Sequence, residues 1–379
     1  MTTGTLKRTV LYHWHMEHGA RMTAFAGWEM PVQYADGPLA EHHVTRRVAG
    51  LFDIDHMVQI EVRGPQAGEY LNHLLTYDIT RLKPFRAHYT CLCYADGGVV
   101  DDPVVYRLAE TTADPKTSYY LLVLNAANGE KGMAWLRAHS GPFDVTLRDV
   151  SEEMCVFALQ GPYAVQLLDR LTDANLTAVP RFGVVASTLW NEVPALFSRT
   201  GYTGEDGFEI FLPSEHALRV WEGILTAGSS IGVKPVGLAA RDSLRFEACM
   251  PLYGNEIGPH RTPIEAGLRI ALSLDKEFIG RDALLKQALE GPAEVLVGFE
   301  MCDRSVPRHG YTVQHHGRSV GTVTTGMYAP TLGRYLGMAY VPSELAQVGA
   351  EIEVIIHDRP RRARIVPQPF YMPAYRRSG

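Results

Sequence analysis

The stretch KQALEGPAEV (residues 286–295) divides the sequence into two parts with different patterns. Its first half has the apolar spacing of a helix, and Gly291-Pro292 ends that helix. The segments beyond it are almost all strand and turn: VLVGFEM (295–301), YTVQHHGRSVGTVTTG (311–326), GMAYV (337–341) and EIEVIIHDRPRRARIV (351–366). Short strands at near-regular spacing favour a small barrel or sandwich. We therefore predict a C-terminal β-barrel-like domain over residues 286–379.

The part before this stretch mixes strand patterns with helical patterns. Short β-branched or aromatic segments, each closed by turn residues, predict strands at 58–64, 119–125, 155–161 and 208–212. Apolar residues at three-to-four spacing predict helices at 131–139 and 216–228. A chain of 379 residues is too long for one ordinary core and predicts two or three domains. The mixed order favours an α+β fold over a doubly wound sheet.

The composition is that of a globular protein, with 46% hydrophobic and 21% charged residues. A net charge of −6 argues against a general nucleic-acid-binding protein, which would normally carry a basic surplus. The N-terminal residues lack the apolar region of a signal peptide, and no stretch approaches the roughly 20 apolar residues of a membrane span. Five cysteines without a CxxC pair indicate a reducing compartment. We expect a cytoplasmic protein that binds neither nucleic acid nor membrane.

Histidines are dense in HWHMEH (13–18) and EHH (41–43). Neither segment has an HExxH motif or another ligand spacing with a supporting third ligand. We therefore predict no metal site.

The segment GGVVDDPVVY (97–106) places two aspartates side by side. On an extended strand neighbouring side chains point to opposite faces, so Asp101 and Asp102 are not expected to line one cleft together. Pro103 removes a ladder donor directly after them, which indicates an edge or an irregular site. One aspartate could face a functional site while the other accepts turn or backbone hydrogen bonds. Alternatively, both are solvated beside the GG turn.

The segment SRTGYTGEDGFEI (198–210) predicts a strand, a glycine-rich turn and a second strand. Glu209 lies between Phe208 and Ile210 and therefore points away from their face. Its carboxylate offers two parallel acceptors, which could pair with two parallel donors such as the amino-pyrimidinone edge of a pterin. The alternative is a surface glutamate on a half-exposed strand. The glycines match neither GxxxxGK[ST] nor GxGxxG, so no phosphate loop is predicted.

The segment GLAARDSLRFEACMPLYG (237–254) begins with a helical pattern that carries two arginines on one face. Arg241 and Arg245 are four residues apart, and like charges at this spacing destabilise a helix. Such a pair needs opposing carboxylates from the protein or an anionic ligand. Structural pairing with Asp242 or Glu247 and binding of an anion are both consistent with the pattern.

A series of ordered blocks extends these segments over nearly the whole chain. They are GARMTAFAGWEMPVQY (19–34), AGLFDIDHM (49–57), GGVVDDPVVYRL (97–108), LNAANGEK (124–131), ALQGP (158–162), SRTGYTGEDGFE (198–209), ARDSLRFEA (240–248), LYGNEI (252–257), TPIEAGL (262–268), FIGRDAL (278–284), PRHGY (307–311) and PTLG (330–333). Together they resemble the aminomethyltransferase family, the T-protein of the glycine cleavage system. The resemblance implies a three-domain cloverleaf that binds tetrahydrofolate in its central opening. Residues 1–285 would form the folate-binding module, built from two intertwined α+β subdomains.

The resemblance also implies roles for individual residues. Asp102 corresponds to the family's acid near folate N5 and N10, which is thought to orient and electrostatically support the one-carbon transfer. Glu209 corresponds to the pterin-binding glutamate, and Arg241 to a folate-contacting arginine. Six further positions match residues that line the folate: Tyr202, Asn125, Tyr89, Met57, Tyr253 and Tyr375.

The sequence departs from the family pattern at several positions near the expected one-carbon donor. The usual Ser-His-Met-Gly reads Asp55-His56-Met57-Val58, and Tyr94 replaces the asparagine before the GG turn. The usual Thr-Asn-Asp reads Thr76-Tyr77-Asp78, and Arg269-Ile270 stands where a tryptophan is common. We therefore assign Asp55, His56 and Tyr94 to the donor side of the site.

Three functions follow from the resemblance. The leading one is aminomethyl transfer, in which ammonia leaves and methylene passes from a lipoyl-carried aminomethyl group to tetrahydrofolate, with a lipoyl-carrying H-protein as the expected partner. The second is a folate-dependent demethylase for an O-, S- or N-methylated small-molecule donor, which the altered Asp55–Val58 stretch favours. The third is a folate-binding assembly protein. Those relatives carry KGCYxGQE, whereas this chain reads KEFIGRD (276–282) without the cysteine.

Overall fold

The computed structural model describes residues 5–108, 118–373 and 375. The strands before the barrel are β1 (Lys7–Arg8), β2 (Arg21–Phe25), β3 (Trp28–Gln33), β4 (Gly50–Asp53), β5 (Val58–Gly64), β6 (Arg86–Tyr89), β7 (Leu92–Cys93), β8 (Val99–Asp101), β9 (Val104–Leu108), β10 (Ser118–Leu124), β11 (Thr146–Asp149), β12 (Met154–Gln160), β13 (Val184–Leu189), β14 (Val193–Ser198), β15 (Gly207–Pro213) and β16 (Lys234–Val236). The barrel strands are β17 (Glu294–Met301), β18 (Thr312–His315), β19 (Arg318–Ala329), β20 (Arg334–Pro342), β21 (Glu351–Ile356) and β22 (Arg359–Val366).

The α-helices of the described residues are α1 (Tyr12–Glu17), α2 (Gly37–Arg47), α3 (Ala67–Leu74), α4 (Gly129–Ala138), α5 (Ala164–Asp169), α6 (Ala217–Gly228), α7 (Leu238–Glu247) and α8 (Arg281–Glu290). Within these residues, no helix is long and apolar enough to cross a membrane.

Two larger sheets form the part before the barrel. A five-stranded sheet has the order β11-β5-β10-β9-β6, and a six-stranded sheet has the order β13-β14-β15-β12-β4-β16. The chain leaves the six-stranded sheet after β4, builds the five-stranded sheet and returns to the first sheet at β12. The two sheets are therefore interleaved in the sequence, and the predicted α+β class is confirmed.

The two sheets pack face to face, and helices cover their outer faces. The core between the sheets contains Phe52, Tyr106, Leu121, Val156 and Phe211. On the outer faces, α3 and α4 contribute Leu71 and Leu136 to one core, while α5 and α6 contribute Leu168 and Trp221 to another. Burying an aliphatic or aromatic side chain of this size contributes about 1.5–3 kcal/mol, so these layers fix the relative position of the strands.

Strand β15 shows how this layering places a polar residue. Phe208 and Ile210 point into the outer core, and Phe211 points into the core between the sheets. Glu209 shares the Phe211 face because side chains two residues apart on a strand point the same way. The predicted orientation of Glu209, away from Phe208 and Ile210, is thus found in the structure.

The C-terminal strands close into a barrel with the order β17-β20-β19-β18-β21-β22, in which β17 also pairs with β22. Every pairing in the barrel is antiparallel, and its interior holds apolar side chains such as Phe299, Val323, Val341 and Ile365. The predicted C-terminal barrel is confirmed. The exact division between residues 285 and 286 stays a prediction. Helix α8 runs across it, and β17 begins at Glu294.

Arg46 joins α2 to the rest of the molecule through a buried guanidinium group. It donates to the Thr203 carbonyl at 2.7 Å and pairs with Glu205 at 3.0 Å, both in the glycine-rich turn before β15. It also pairs with Glu247 of α7 at 3.1 Å. In the barrel, its Nε donates to the Thr331 hydroxyl at 3.2 Å, and near the C-terminus the guanidinium carbon lies 4.0 Å from the centre of the Tyr371 ring.

Candidate functional site

Asp101 and Asp102 lie at the end of β8, where one asparagine holds both carboxylates. The Asn125 amide nitrogen donates to Asp101 Oδ1 at 2.7 Å and to Asp102 Oδ1 at 2.6 Å. Asp101 also accepts from the Asn125 backbone N–H at 3.1 Å and from Asn128 Nδ2 at 2.6 Å. Asp102 accepts its other hydrogen bond from the Tyr89 hydroxyl at 2.8 Å. The loop before α4 therefore anchors Asp101, whereas Asp102 connects that loop to β6.

The expectation that strand alternation separates the two aspartates is wrong. Alternation holds only inside a strand, and β8 ends at Asp101. Pro103 cannot donate to a ladder, so the strand does not continue through Asp102. The two side chains still differ in access, because Asp101 is fully buried and Asp102 is half-buried.

The Asp102 carboxyl has a pKa raised to about 8. Burial is the largest cause because it disfavours the charged form, and the negative charge of Asp101 adds to it. The hydrogen bonds from Tyr89 and Asn125 lower the pKa, but by less. Near neutral pH this group can both hold and release a proton, which is what an acid–base group needs.

Two hydroxyl groups donate hydrogen bonds to a single carboxylate oxygen of Glu209. Tyr106, on the opposing five-stranded sheet, donates to Oε2 at 3.1 Å, and Thr200 donates to the same oxygen. The Tyr106 ring packs edge-on against Phe211 with centroids 5.4 Å apart, which fixes the direction of its hydroxyl. Burial raises the pKa of Glu209, whereas both hydroxyls and the charge of Arg241 lower it. Among the described residues no hydrogen bond reaches Oε1, so its lone pairs are left for another donor.

Arg241 and Tyr202 contact each other beside this carboxylate. The Arg241 guanidinium carbon lies 4.8 Å from the centre of the Tyr202 ring, and the Tyr202 hydroxyl donates to the Pro251 carbonyl. Within the described parts of the chain, Arg241 makes no ion pair. Its neighbour Arg245, in contrast, pairs with Asp242 and Glu256, both at 2.8 Å. Burial lowers the pKa of Arg241, although the neighbouring Tyr202 hydroxyl and the Glu209 carboxylate act to raise it.

The predicted helix face is thus divided between two uses. The structural pairing considered for these arginines applies to Arg245, through Asp242 but not through Glu247, which pairs with Arg46 and His42 instead. Arg241 makes no ion pair among the residues that the structure describes, a property expected of an anion-binding residue.

Asp55 and His56 are buried in the turn after β4, with 5% and 1% of their surface exposed. Both His56 ring nitrogens and Asp55 Oδ1 lack a hydrogen-bond partner among the described residues. Burial and, to a smaller extent, the charge of Arg241 lower the pKa of His56 to about 3. His56 is therefore a neutral imidazole under the influence of the Arg241 charge. The assignment of Asp55 and His56 to the donor side stays a prediction.

Asp53, two residues before Asp55, forms a second buried polar cluster. Its Oδ2 accepts from the Thr9 hydroxyl at 2.7 Å and lies 2.8 Å from His15 Nε2. His15 Nδ1 lies 2.9 Å from the Tyr34 hydroxyl. The Asp55 backbone N–H donates to Asp53 Oδ1 at 2.9 Å. This cluster ties the N-terminal segment to the end of β4.

The remaining predicted residues lie around these groups. Tyr253 donates to the Val99 carbonyl of β8 at 3.0 Å, and Tyr94 packs edge-on against Trp135 of α4 with ring centroids 5.2 Å apart. Met57 packs against the core between the two sheets. Tyr375 donates to the Gly204 carbonyl of the glycine-rich turn at 3.2 Å.

Four residues at the site were not predicted: Asn128, Lys131, Tyr106 and Thr200. Asn125, Asn128 and Lys131 follow one another at a spacing of three, which places them on one side of a helical start. That spacing could have revealed Asn128 and Lys131. The Tyr106 hydroxyl reaches Glu209 from another sheet, 103 residues away, and sequence spacing carries no signal for such a contact.

Comparisons with known proteins agree with this arrangement. The family model described as the GCVT N-terminal domain matches residues 11–276, and that of the glycine cleavage T-protein C-terminal barrel domain matches residues 295–371. The chain belongs to the glycine cleavage T-protein family. Among curated T-proteins, the aminomethyltransferase of Geobacillus kaustophilus is 49% identical over 97% of this chain and 99% of its own length. That of Caldanaerobacter subterraneus is 46% identical over 98% of both chains.

A solved T-protein structure shares the fold. The crystal structure of the glycine cleavage system aminomethyltransferase T from Bartonella henselae matches with a TM-score of 0.89 and 35% identity. The match covers 97% of this chain and 99% of that one. The leading prediction, an aminomethyltransferase of the T-protein family, is confirmed. These three relatives bear the name of that activity and of neither alternative, demethylase or assembly protein.

Proposed function

We propose that this T-protein binds tetrahydrofolate between Glu209, Arg241 and Asp102 and transfers a methylene group from a lipoyl-carried aminomethyl donor to it. The observation that carries the proposal is Arg241, a guanidinium group that makes no ion pair in the described residues. A partly buried cation without an ion pair is costly, and an anionic ligand would remove that cost. The family to which the chain belongs is folate-dependent in general.

The residues present fit such a ligand. Glu209 keeps Oε1 for a pterin donor while Tyr106 and Thr200 hold Oε2, so the carboxylate is oriented before the ligand arrives. Arg241 suits the carboxylates of the glutamyl tail or an electron-rich part of the ring system. The orphaned nitrogens of His56, whose pKa the Arg241 charge helps to lower, add unused hydrogen-bonding capacity.

Asp102 is proposed to handle the proton and the positive charge of the transferred group. Tetrahydrofolate supplies the nitrogen nucleophiles N5 and N10 that accept the one-carbon unit. Asp102 holds a proton in the free protein because its pKa is about 8. A cationic amine bound beside it would lower that pKa and favour the carboxylate, which then stabilises the developing positive charge. Tyr89 and Asn125 keep the carboxyl oriented in both states.

The test is direct measurement of folate binding to Glu209→Ala and Glu209→Gln. Removing a charge-assisted hydrogen bond should weaken tetrahydrofolate binding by roughly 1.5–3 kcal/mol in calorimetry, with the glutamine variant between the wild type and the alanine variant. Thermal unfolding of both variants controls for damage to the sheets. Unchanged affinity in a folded variant would remove Glu209 from the pterin site.

A second measurement separates the possible positions of Arg241. Arg241→Ala should lose more affinity for polyglutamylated tetrahydrofolate than for a tail-less pterin if the guanidinium meets the tail. An equal loss for both would place it at the ring. Mass analysis of the product completes the test: methylene-tetrahydrofolate from a lipoyl-carried aminomethyl group supports the proposal, whereas methyl-tetrahydrofolate from a methylated small molecule supports a demethylase.

A further inference from the structure

Lys131 lies in the first turn of α4 and reaches the strand that ends in the two aspartates. Its Nζ donates to the Tyr253 hydroxyl at 2.7 Å and lies 4.4 Å from the centre of that ring. Tyr253 in turn donates to the carbonyl of Val99, two residues before Asp101. The segment that supplies Lys131 also supplies Asn125 and Asn128, so the cation is fixed relative to the carboxylates.

The Lys131 charge is not neutralised by the protein. Among residues 5–108, 118–373 and 375, Lys131 makes no ion pair, and its one hydrogen-bond acceptor is the neutral Tyr253 hydroxyl. The side chain is half-buried, and burial lowers its pKa, while the charge of Asp101 raises it. An ammonium group has three donors, so two are left for a ligand.

Another half-buried lysine shows the structural alternative. Lys276 also makes no ion pair in the described part of the chain, but it donates to the backbone carbonyls of Asn72 and Leu75. Its donors close a loop and point into the protein. Lys131 has no such carbonyl pair in the same residues, and its single partner belongs to the side chain of a predicted folate-lining residue.

We propose that Lys131 is the donor-side acid of this enzyme: its ammonium group contacts the sulfur that carries the aminomethyl group and protonates it when the carbon–sulfur bond breaks. This inference rests on the proposed function and names the group that protonates the leaving sulfur. Asp102 is then left to serve the amine and the carbon.

The proton and electron balance of the step is simple. The carbon–sulfur bond breaks as the carbon bonds to the acceptor nitrogen, and the electron pair of the broken bond remains on sulfur. The acceptor nitrogen loses its proton to the Asp102 carboxylate, and the amino group stays on the carbon until it leaves as ammonia in a later step. The proton leaves Lys131 Nζ, so sulfur departs as a thiol and the lysine becomes a neutral amine. The lysine then regains a proton from solvent. A lowered lysine pKa suits this transfer, because acid–base catalysis is most efficient when donor and acceptor are closely matched.

The test uses dihydrolipoamide as the thiol probe, in binding and in the reverse reaction with methylene-tetrahydrofolate and ammonium. Lys131→Met keeps the side-chain length and removes the charge, and it should lower turnover by roughly 10²–10⁴-fold. As pH rises toward thiol ionisation, the wild type should bind dihydrolipoamide more tightly. Calorimetry should show that Lys131→Met lacks this increase in affinity. Lys131→Arg should retain that affinity and still turn over slowly, because arginine does not release its proton.

Three controls separate the possible failures. Glu130→Gln, an exposed change on the same helix, should leave binding and turnover normal. Tyr253→Phe tests whether Lys131 acts only by holding the Tyr253 hydroxyl in place. Equal defects in Tyr253→Phe and Lys131→Met would overturn the inference. Normal turnover of Lys131→Met, or a thiol affinity with an unchanged pH profile, would also overturn it. Failure of the wild type to bind tetrahydrofolate would instead refute the proposed function, while the thiol measurements still decide the role of Lys131.

Discussion

Two pairs of closely spaced aspartates, Asp101 with Asp102 and Asp53 with Asp55, have similar electrostatics and different surroundings. In each pair one carboxyl has a pKa raised to about 8, first by burial and then by the charge of the other aspartate. Asp102 is half-buried, whereas Asp53 and Asp55 are only 4% and 5% exposed. The partners of Asp102 are side chains of predicted folate-lining residues, and those of Asp53 belong to the N-terminal segment.

This difference shows that a raised pKa marks crowded carboxylates and not, by itself, a reacting group. Structural networks of charges also shift pKa values, so the solvent access of a carboxylate and its hydrogen-bond partners must be used to identify the reacting group. Asp102 meets both criteria, because it is only half-buried and it accepts hydrogen bonds from Tyr89 and Asn125. Asp53 is sealed, and although burial acts to raise its pKa, hydrogen bonding and the charge of His15 outweigh this and lower it. We therefore expect Asp102 to control rate and Asp53 to control stability.

The largest expected effect is on turnover. Asp102→Asn keeps the size of the side chain but removes the charge and the titration, so turnover should fall by roughly 10²–10⁴-fold. Folate affinity measured by calorimetry should stay near the wild-type value. If the variant turns over normally with the true donor, the charge of Asp102 is not used in the chemistry.

Asp101→Asn sharpens this prediction within the pair. Asp101 accepts three hydrogen bonds in a fully buried position, so its replacement should lower stability more than rate. Thermal unfolding and turnover per folded molecule measure the two effects. A large loss of turnover in Asp101→Asn with a nearly normal Asp102→Asn would reverse the assignment within the pair.

In the second pair, Asp53 should affect stability alone. Asp53→Asn leaves Thr9 and His15 without a charged acceptor and should lower the free energy of unfolding by about 1–3 kcal/mol. Urea denaturation measures this change, and turnover per folded molecule should be unchanged. A kinetic defect in a stable Asp53→Asn protein would show that the buried cluster takes part in the reaction.

The last expected effect concerns the pH dependence of stability. The folded protein holds a proton on Asp55 between the ordinary pKa of 3.8 and about 8, where the unfolded chain has already lost it. Asp55 should therefore contribute a loss of stability as pH rises through this window, and Asp55→Asn should lack that contribution while keeping that of Asp102, whose pKa is also raised to about 8. Parallel stability curves for the two proteins would contradict the raised pKa of Asp55.

The sequence predicted well wherever local periodicity decides the structure. Evenly spaced strands and turns after Gly291-Pro292 predicted the barrel, and alternation placed Glu209 opposite Phe208 and Ile210. The failure at Asp101 and Asp102 has a local cause, since alternation was extended past the last residue of β8. A proline directly after the pair already indicated that the strand was ending there.

Contacts between distant segments could not be predicted from spacing. Tyr106 reaches Glu209 because two sheets pack face to face, and Glu256 neutralises Arg245 from a loop beyond the helix. The sequence showed two like charges on one helix face. Only the fold shows that Arg245 is paired and that Arg241 makes no ion pair among the described residues.

The bonds of Arg46 have a consequence for protein engineering. This side chain contacts Thr331 in the barrel and Tyr371 after its last strand, while its other bonds support the glycine-rich turn that precedes Glu209. A chimera that exchanges the barrel with that of a relative would therefore inherit a correctly shaped ligand site only if the graft carries a hydroxyl group at position 331 and an aromatic ring at position 371. The useful crossover points for such exchanges are those that transfer both positions together.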